Sequence, residues 1–446
     1  MKVKKQRSST HITKVRVRSK GRWFKWLIPG LRVKRWVLLS IAGVLLVLLG
    51  LAISARLTPV LNLSRLINRV IDLVVDIFPR HVSGPIAIIV GMGIFWVAQR
   101  GMMQSVADTV DPNAKRDLLD TLVTDRQLRR GAKIVAIGGG TGLSNLLRGL
   151  KRYSANITAI VTVADDGGSS GRLRREQGIL PPGDIRNCLA ALADEEQLLT
   201  ELFQYRFSSG EGLTGHSFGN LFLAAMTDIT GDLQKAISAS SQVLAVRGQV
   251  LPATLDQMVL WADLEDGRHI EGESNISKAE GKIINFGCHP AHPKALPEAI
   301  QALHNADLIV IGPGSLYTSI IPNLLVPEIL QALCQRQAPA IYVCNIMSQK
   351  GETDGYNASD YVKVLDNLAN TRLFDAILVQ KEMPSAITLA KYLQQGITFT
   401  QLDRENLHQL DCPILTANVM CETSQGVVVH DSDRLAGVLM RWYNRQ

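Results

Sequence analysis

Apolar and polar positions along this chain follow two different patterns. From residue 131 onward, short apolar runs alternate with longer stretches in which apolar residues recur every three or four positions. The runs are 133–137, 157–163, 307–311, 340–344, 374–379 and 426–429, and each reads as a buried strand. The stretches between them read as helices, as where Leu143, Leu146, Leu147 and Leu150 follow the first run. This alternation predicts an α/β fold, a Rossmann-like three-layer arrangement with a parallel sheet covered by helices on both faces. Before residue 131 the pattern changes. Residues 36–55 form a charge-free apolar run of 20, long enough to cross a hydrocarbon core as a helix. A second run, 82–98, contains Gly84, Gly91 and Gly93, ends near Phe95-Trp96, and reads as a second span. Between them, 71–78 is interrupted by Asp72 and Asp76 and reads as amphipathic and interfacial.

Charge changes the picture in one respect. The chain carries a net +8, but residues 1–35 hold 13 Lys and Arg and no acid. The remainder carries 35 basic against 40 acidic residues. The basic character belongs to an arm, which argues against nucleic-acid binding by the folded domain. The dense arm and the basic residues after the second span (Arg100, Lys115, Arg116, Arg126) place both ends of a membrane hairpin in the cytoplasm. The expected organisation is a basic arm (1–35), a transmembrane hairpin (36–99), a polar linker (100–130) and an α/β domain (131–446) facing the cytoplasm from the cell membrane. Six scattered cysteines without a C-x-x-C spacing suit a reducing compartment.

The candidate chemistry sits where strands end. After the first strand comes Gly138-Gly139-Gly140-Thr141-Gly142, then a helix. Glycine permits close approach to bare backbone, and a helix N-terminus offers unpaired N–H groups to a phosphate. The spacing is neither the dinucleotide fingerprint, since Leu143 stands where a third glycine is needed, nor a Walker loop. The second strand leads to Asp165 and Asp166, followed by a Gly-Gly-Ser-Ser-Gly-Arg loop containing Ser169, Ser170 and Arg172. Acids at that position can bind ribose hydroxyls or hold Mg²⁺ beside a phosphate. Pro182-Gly183-Asp184-Ile185-Arg186-Asn187 offers Asp184 as a helix cap and Asn187 as a ligand contact. Gly215-His216-Ser217-Phe218-Gly219-Asn220 adds Asn220, with His216 either a structural residue or an acid–base group. A second glycine–hydroxyl loop follows 307–311 and supplies Gly312, Gly314, Ser315, Tyr317 and Thr318. Tyr356, in Gly351-Glu-Thr-Asp-Gly-Tyr, is placed to stack on a nucleobase. In a parallel sheet all these strand ends lie on one edge, so the loops should converge. Cys288-His289-Pro290-Ala291-His292 has too few close ligands for a metal site.

The glycine turn, Val161-Thr-Val-Ala-Asp-Asp-Gly-Gly-Ser-Ser-Gly-Arg, Pro182-Gly-Asp-Ile-Arg-Asn, Gly312-Pro-Gly-Ser-Leu-Tyr-Thr-Ser and Gly351-Glu-Thr-Asp-Gly-Tyr together resemble the gluconeogenesis factor (YvcK-like) family over about 131–446. The resemblance implies a CofD-like fold, a bound UDP-sugar such as UDP-N-acetylglucosamine, and a role in cell shape and cell-wall precursor supply under gluconeogenic growth. It implies a regulatory binding protein with a protein partner, self-association and no certain cofactor. The family's glycine loop maps to Gly138–Gly142, its aspartate loop to Asp165 and Asp166, and its nucleotide-sugar tyrosine to Tyr356. The wider superfamily includes 2-phospholactate transferases acting on a deazaflavin, and under that alternative Asp165 and Asp166 would hold Mg²⁺. The sequence departs from those enzymes after the paired acids. The membrane hairpin is expected to be a departure from family members that begin near the glycine strand.

Overall fold

The computed structural model describes residues 125–194 and 196–446, with scattered positions between residues 43 and 97. The basic arm, nearly all of the expected hairpin and most of the linker fall outside the described residues. Among the described residues no single helix is long and apolar enough to cross a membrane.

Strand β1 (Ile134–Gly138) is buried along its whole length, because its alternate side chains enter two different cores. Val135 and Ile137 join one core, Ile134 and Ala136 the other. A strand covered on both faces reads as a continuous apolar run, which is why 133–137 stands out in the sequence. Six more strands pair in parallel with it or with its neighbours: β2 (Ile157–Val161), β3 (Gln249–Pro252) and, after an antiparallel insert of β4 (Val259–Leu264), β5 (His269–Glu271) and β6 (Ile283–His289), strands β7 (Leu308–Ile311), β8 (Ala340–Val343), β9 (Ala376–Gln380) and β10 (Ile414–Ala417). The order across the sheet is β10-β9-β8-β7-β1-β2-β3. The chain builds outward from β1 in one direction, then returns and builds outward from β7 in the other. β1 pairs with β2 on one side and β7 on the other, so the topological switch lies between β1 and β7. Open parallel sheets bind ligands in the crevice beyond the strand carboxyl ends at that point.

Helices cover both faces. On one side α1 (Gly140–Leu150) buries Leu143, Leu146, Leu147 and Leu150 completely. Each contributes about 1.5–3 kcal/mol of transfer free energy. Helices α2 (Gly168–Gln177) and α3 (Gly183–Leu192) follow β2, and α4 (Phe218–Thr230) and α5 (Leu233–Val243) lead to β3. The insert contributes the single-turn helix α6 (Glu273–Ile276). On the other side α7 (Pro327–Cys334) buries Ile329 and Leu333, and α8 (Ser432–Tyr443) returns to the α1 side through Leu435 and Leu439.

Two sequence expectations need correction. The run 426–429 does not join the sheet: β12 (Val428–His430) forms a two-stranded antiparallel hairpin with β11 (Met420–Glu422). Its partner lies a few residues away across a turn at Gly426 (φ 76°), so local closure prevails over long-range parallel pairing. β3, β10 and the β4–β6 insert were not legible as strands. β3 and β10 are sheet edges and, unlike β7 and β8 of the same length, carry Gln249 and Pro252 or Thr416, which break a continuous apolar run.

Candidate functional site

The two glycine loops sit against each other at the switch point. Gly138 ends β1, and its carbonyl accepts bonds from Thr162 N–H (3.1 Å) and the buried Asn323 amide (3.2 Å). Gly140 opens α1 at φ 64°, a left-handed conformation that glycine adopts without strain. A Cβ on Gly142 would stand 2.5 Å from the Pro313 carbonyl oxygen, so backbone meets backbone between the loops. Gly139 is buried, Gly140 and Gly142 are half-buried, and Thr141 is exposed at the start of α1. Thr141 is not the cap: Gly139 occupies that position without a side-chain bond. The first-turn N–H groups of α1 thus lie at the sheet edge where anions are favoured.

Asp165 and Asp166 diverge. Asp165 accepts the Gly167 N–H (2.9 Å) and a bond from Ser170, whereas Asp166 accepts the Ser274 N–H (2.9 Å) across from the insert. Asp184 does not cap its own helix, whose cap position is Pro182; its carboxylate reaches across to the Gly140 N–H. Burial, then repulsion from Asp165, holds Asp184 up at about 6 against the opposing Gly140 bond and Arg186 charge. Glu273, on α6, is pushed up to about 8 by burial and then by Asp165 and Asp166. Asp165 itself is raised by burial. Hard carboxylate oxygens suit Mg²⁺, yet among the described residues no three His, Cys, Asp or Glu side chains gather at metal-ligating geometry.

Behind these acids lies a polar network. Asn220 is buried; its amide donates to Ser169 (3.1 Å) and Ser170 (3.3 Å), and its carbonyl accepts from Arg186 (3.1 Å). His216, also buried, shares a 3.0 Å bond between Nδ1 and Ser169 Oγ, and burial pushes its pKa down. Arg186 further donates to Ser217 Oγ (2.6 Å) and Asn187 Oδ1 (2.9 Å). Asn187 and Arg172 are half-buried at the rim; Ser169, Ser170 and Asn220 form the floor.

The second loop is held from beneath. Gly312 lies at φ 77°, and Gly314 and Ser315 remain half-buried. Ser315 Oγ accepts from Gln349 (2.5 Å). Thr318 donates to Glu352 (3.0 Å), which Ser277 also reaches (3.1 Å); burial raises the Glu352 pKa. Tyr317 is core rather than rim: its ring packs on Phe286 (5.3 Å), and its hydroxyl meets that of half-buried Tyr356 at 3.0 Å. Tyr361 packs edge-on against Tyr356 at 5.5 Å. The convergence expected from the strand ends is therefore present. What motif reading missed is Glu273, Glu352 and Gln349, and the reach of Asp184: acids and amides whose role depends on an insert or loop distant in sequence. Two surface hollows lie elsewhere. One is lined by Asp307, Pro339 and Tyr443, the other by Gln234, Gln249 and Glu298, and neither gathers comparable chemistry.

The family model of the 2-phospho-L-lactate transferase CofD matches residues 134–420. A provisionally named gluconeogenesis factor of Nostoc sp. is 60% identical over 424 residues, covering 95% of this chain and 93% of that protein. The gluconeogenesis factor of Bacillus subtilis is 50% identical over 309 residues, covering 69% of this chain and 97% of its own. A crystal structure of a Bacillus halodurans protein matches with a TM-score of 0.68 at 48% identity, covering 70% of this chain and 99% of that one. The Nostoc alignment is longer than the whole α/β unit and reaches into the N-terminal segment. That segment is therefore shared with this relative, whereas the Bacillus subtilis protein, 97% of which aligns to only 69% of this chain, lacks it, as expected for members that begin near the glycine strand. The chain belongs to the gluconeogenesis factor family, built on a CofD-like α/β core.

Proposed function

We propose that the switch-point crevice binds a UDP-sugar such as UDP-N-acetylglucosamine, and that the protein is a regulatory binding protein acting on cell shape and cell-wall precursor supply. The observation that carries the reading is the contact of the two glycine loops beside the α1 N-terminus, with Gly140, Gly142, Gly314 and Ser315 left partly open. Such a cradle suits a diphosphate. Tyr356, steadied by Tyr317 and Tyr361, offers a ring face for the base or sugar. The apolar runs 36–55 and 82–98 tether the domain to the cell membrane on its cytoplasmic side, where it acts through a protein partner and as a homo-oligomer.

A second reading is a Mg²⁺-dependent phospho-group transferase acting on a deazaflavin. The crowding of Asp165, Asp166, Asp184 and Glu273 favours it, since a cation would relieve their repulsion. Asp165 and Asp166 would hold the ion, which would neutralise developing phosphate charge.

Thermal unfolding separates the two. The ligands are UDP-N-acetylglucosamine, UDP-glucose and a deazaflavin, each with and without Mg²⁺. A UDP-sugar at 100 times its Kd adds about 2.7 kcal/mol. The expected result is metal-independent stabilisation by UDP-sugars that disappears in Tyr356→Ala. Stabilisation by the deazaflavin with Mg²⁺ alone would overturn it.

A further inference from the structure

Three arginines line up along one loop beside the crevice without a carboxylate partner. Arg172, on α2, donates to the Thr214 carbonyl at 2.8 Å. Arg206 donates to the adjacent Gly215 carbonyl at 2.6 Å. Arg186, on α3, donates to Ser217 Oγ at 2.6 Å. The three guanidinium groups are thus strung on residues 214, 215 and 217. Among the described residues none of the three has a carboxylate oxygen within 4 Å, whereas Arg247, Arg336 and Arg372 pair with Asp194, Asp375 and Asp366.

The loop that carries them is fixed. Arg206 bridges Ser217 across an antiparallel pair, Phe207 N–H donates to the His216 carbonyl (3.0 Å), and Gly215 N–H returns to the Phe207 carbonyl (2.8 Å). The arrangement is self-repulsive: Arg206 pushes the Arg186 pKa down beyond the effect of burial, and Arg172 and Arg206 both depress His216. Neutral carbonyls and hydroxyls orient the guanidinium groups without cancelling their charge. Each has five N–H donors; Arg172 and Arg206 each spend one on this loop and keep the rest, whereas Arg186 makes three bonds, to Ser217, Asn220 and Asn187, and adds mainly its charge. A bidentate oxyanion satisfies such unspent, pre-oriented donors.

We propose that Arg172, Arg186 and Arg206 form an oxyanion subsite on the rim of the crevice, additional to the glycine-loop cradle, that takes the phosphate or carboxylate group of a small anionic metabolite. The ligand is small because acids bound the row. Asp165 and Asp184 lie on the Arg186 side, Glu176 stands near His216, and Glu211 is exposed on the same loop. An extended polyanion would meet those carboxylates.

The test is thermal unfolding of the full-length chain at constant ionic strength. It is titrated separately with inorganic phosphate, glycerol 3-phosphate and succinate, with chloride as reference. The variants are Arg172→Gln, Arg206→Gln and, as a control on an exposed cation paired with Asp232, Lys235→Gln. At least one of the three anions is expected to raise Tm saturably over chloride. Half-saturation moves at least about tenfold higher in either arginine variant, as expected for losing a charge-assisted bond, and stays put in Lys235→Gln. Glycerol 3-phosphate against succinate then distinguishes phosphate from carboxylate ligands. Arg206→Gln, which relieves the repulsion on Arg186, keeps the unliganded Tm of the parent or exceeds it. The proposal is overturned if no anion outperforms chloride, or if the anion shift survives both substitutions. It is also overturned if stabilisation by UDP-N-acetylglucosamine falls in step with the anion shift, because the arginines would then belong to the nucleotide-sugar site. Absence of any UDP-sugar effect would count against the crevice reading alone.

Discussion

Replacing Glu273 with glutamine removes a carboxyl that the fold keeps protonated far above its ordinary range. Glu273 sits half-buried on α6 facing Asp165 and Asp166, and its pKa is about 8 against a reference of 4.5. The sign follows from linkage. Below about pH 4.5 the group is protonated both folded and unfolded, so it contributes nothing. Between 4.5 and 8 the unfolded chain releases the proton while the folded protein retains it, and stability falls as pH rises. At about 1.4 kcal/mol per unit the full span has a ceiling near 5 kcal/mol. The side chain is only half-buried, so solvent screening brings the working value to about 2–3 kcal/mol. Glu273→Gln leaves an uncharged side chain of the same shape at every pH. The variant should match the parent at pH 4 and exceed it by about 5 °C in Tm at pH 9, at roughly 2 °C per kcal/mol for a domain of this size. Differential scanning calorimetry from pH 4 to 9 measures this. A gap that does not change with pH, or a variant less stable than the parent at pH 9, refutes the reasoning.

Two further predictions concern packing and the buried network. Gly142→Ala places a methyl 2.5 Å from the Pro313 carbonyl oxygen and forces the two glycine loops apart, at a cost of about 2–4 kcal/mol, whereas Gly138→Ala, whose nearest neighbour would be 3.8 Å away, costs under about 1 kcal/mol. Urea unfolding of the pair checks this, and equal losses would mean the loops do not rest on each other. Asn220→Ala strips an acceptor from Arg186 and donors from Ser169 and Ser170 in a buried setting, with an expected loss of about 2–4 kcal/mol by urea denaturation. A loss below about 0.5 kcal/mol would show that the network does not support the floor of the crevice.

The sequence alone determined the parallel α/β core and the edge on which its chemistry lies. Strands buried on both faces must be continuously apolar, so β1, β2, β7, β8 and β9 each left a run, and helix periodicity between them imposed the layered fold. Glycines at strand ends were legible because left-handed backbone and close approach restrict residue choice locally. Only the tertiary structure decided which polar groups act together. Asp184 lies in the sequence of a helix N-terminus but bonds to Gly140 across the switch point, Glu273 arrives on an antiparallel insert that carries no motif, and Tyr317 turned inward to Phe286 while Tyr356 stayed at the rim. For the same reason the edge strands β3 and β10 left no run, and the run 426–429, read as a strand of the main sheet, pairs instead in the hairpin at 420–430. A residue's local conformational demand is written at its own position, whereas burial and electrostatic pairing belong to two distant segments at once and become definite when the sheet order brings them together.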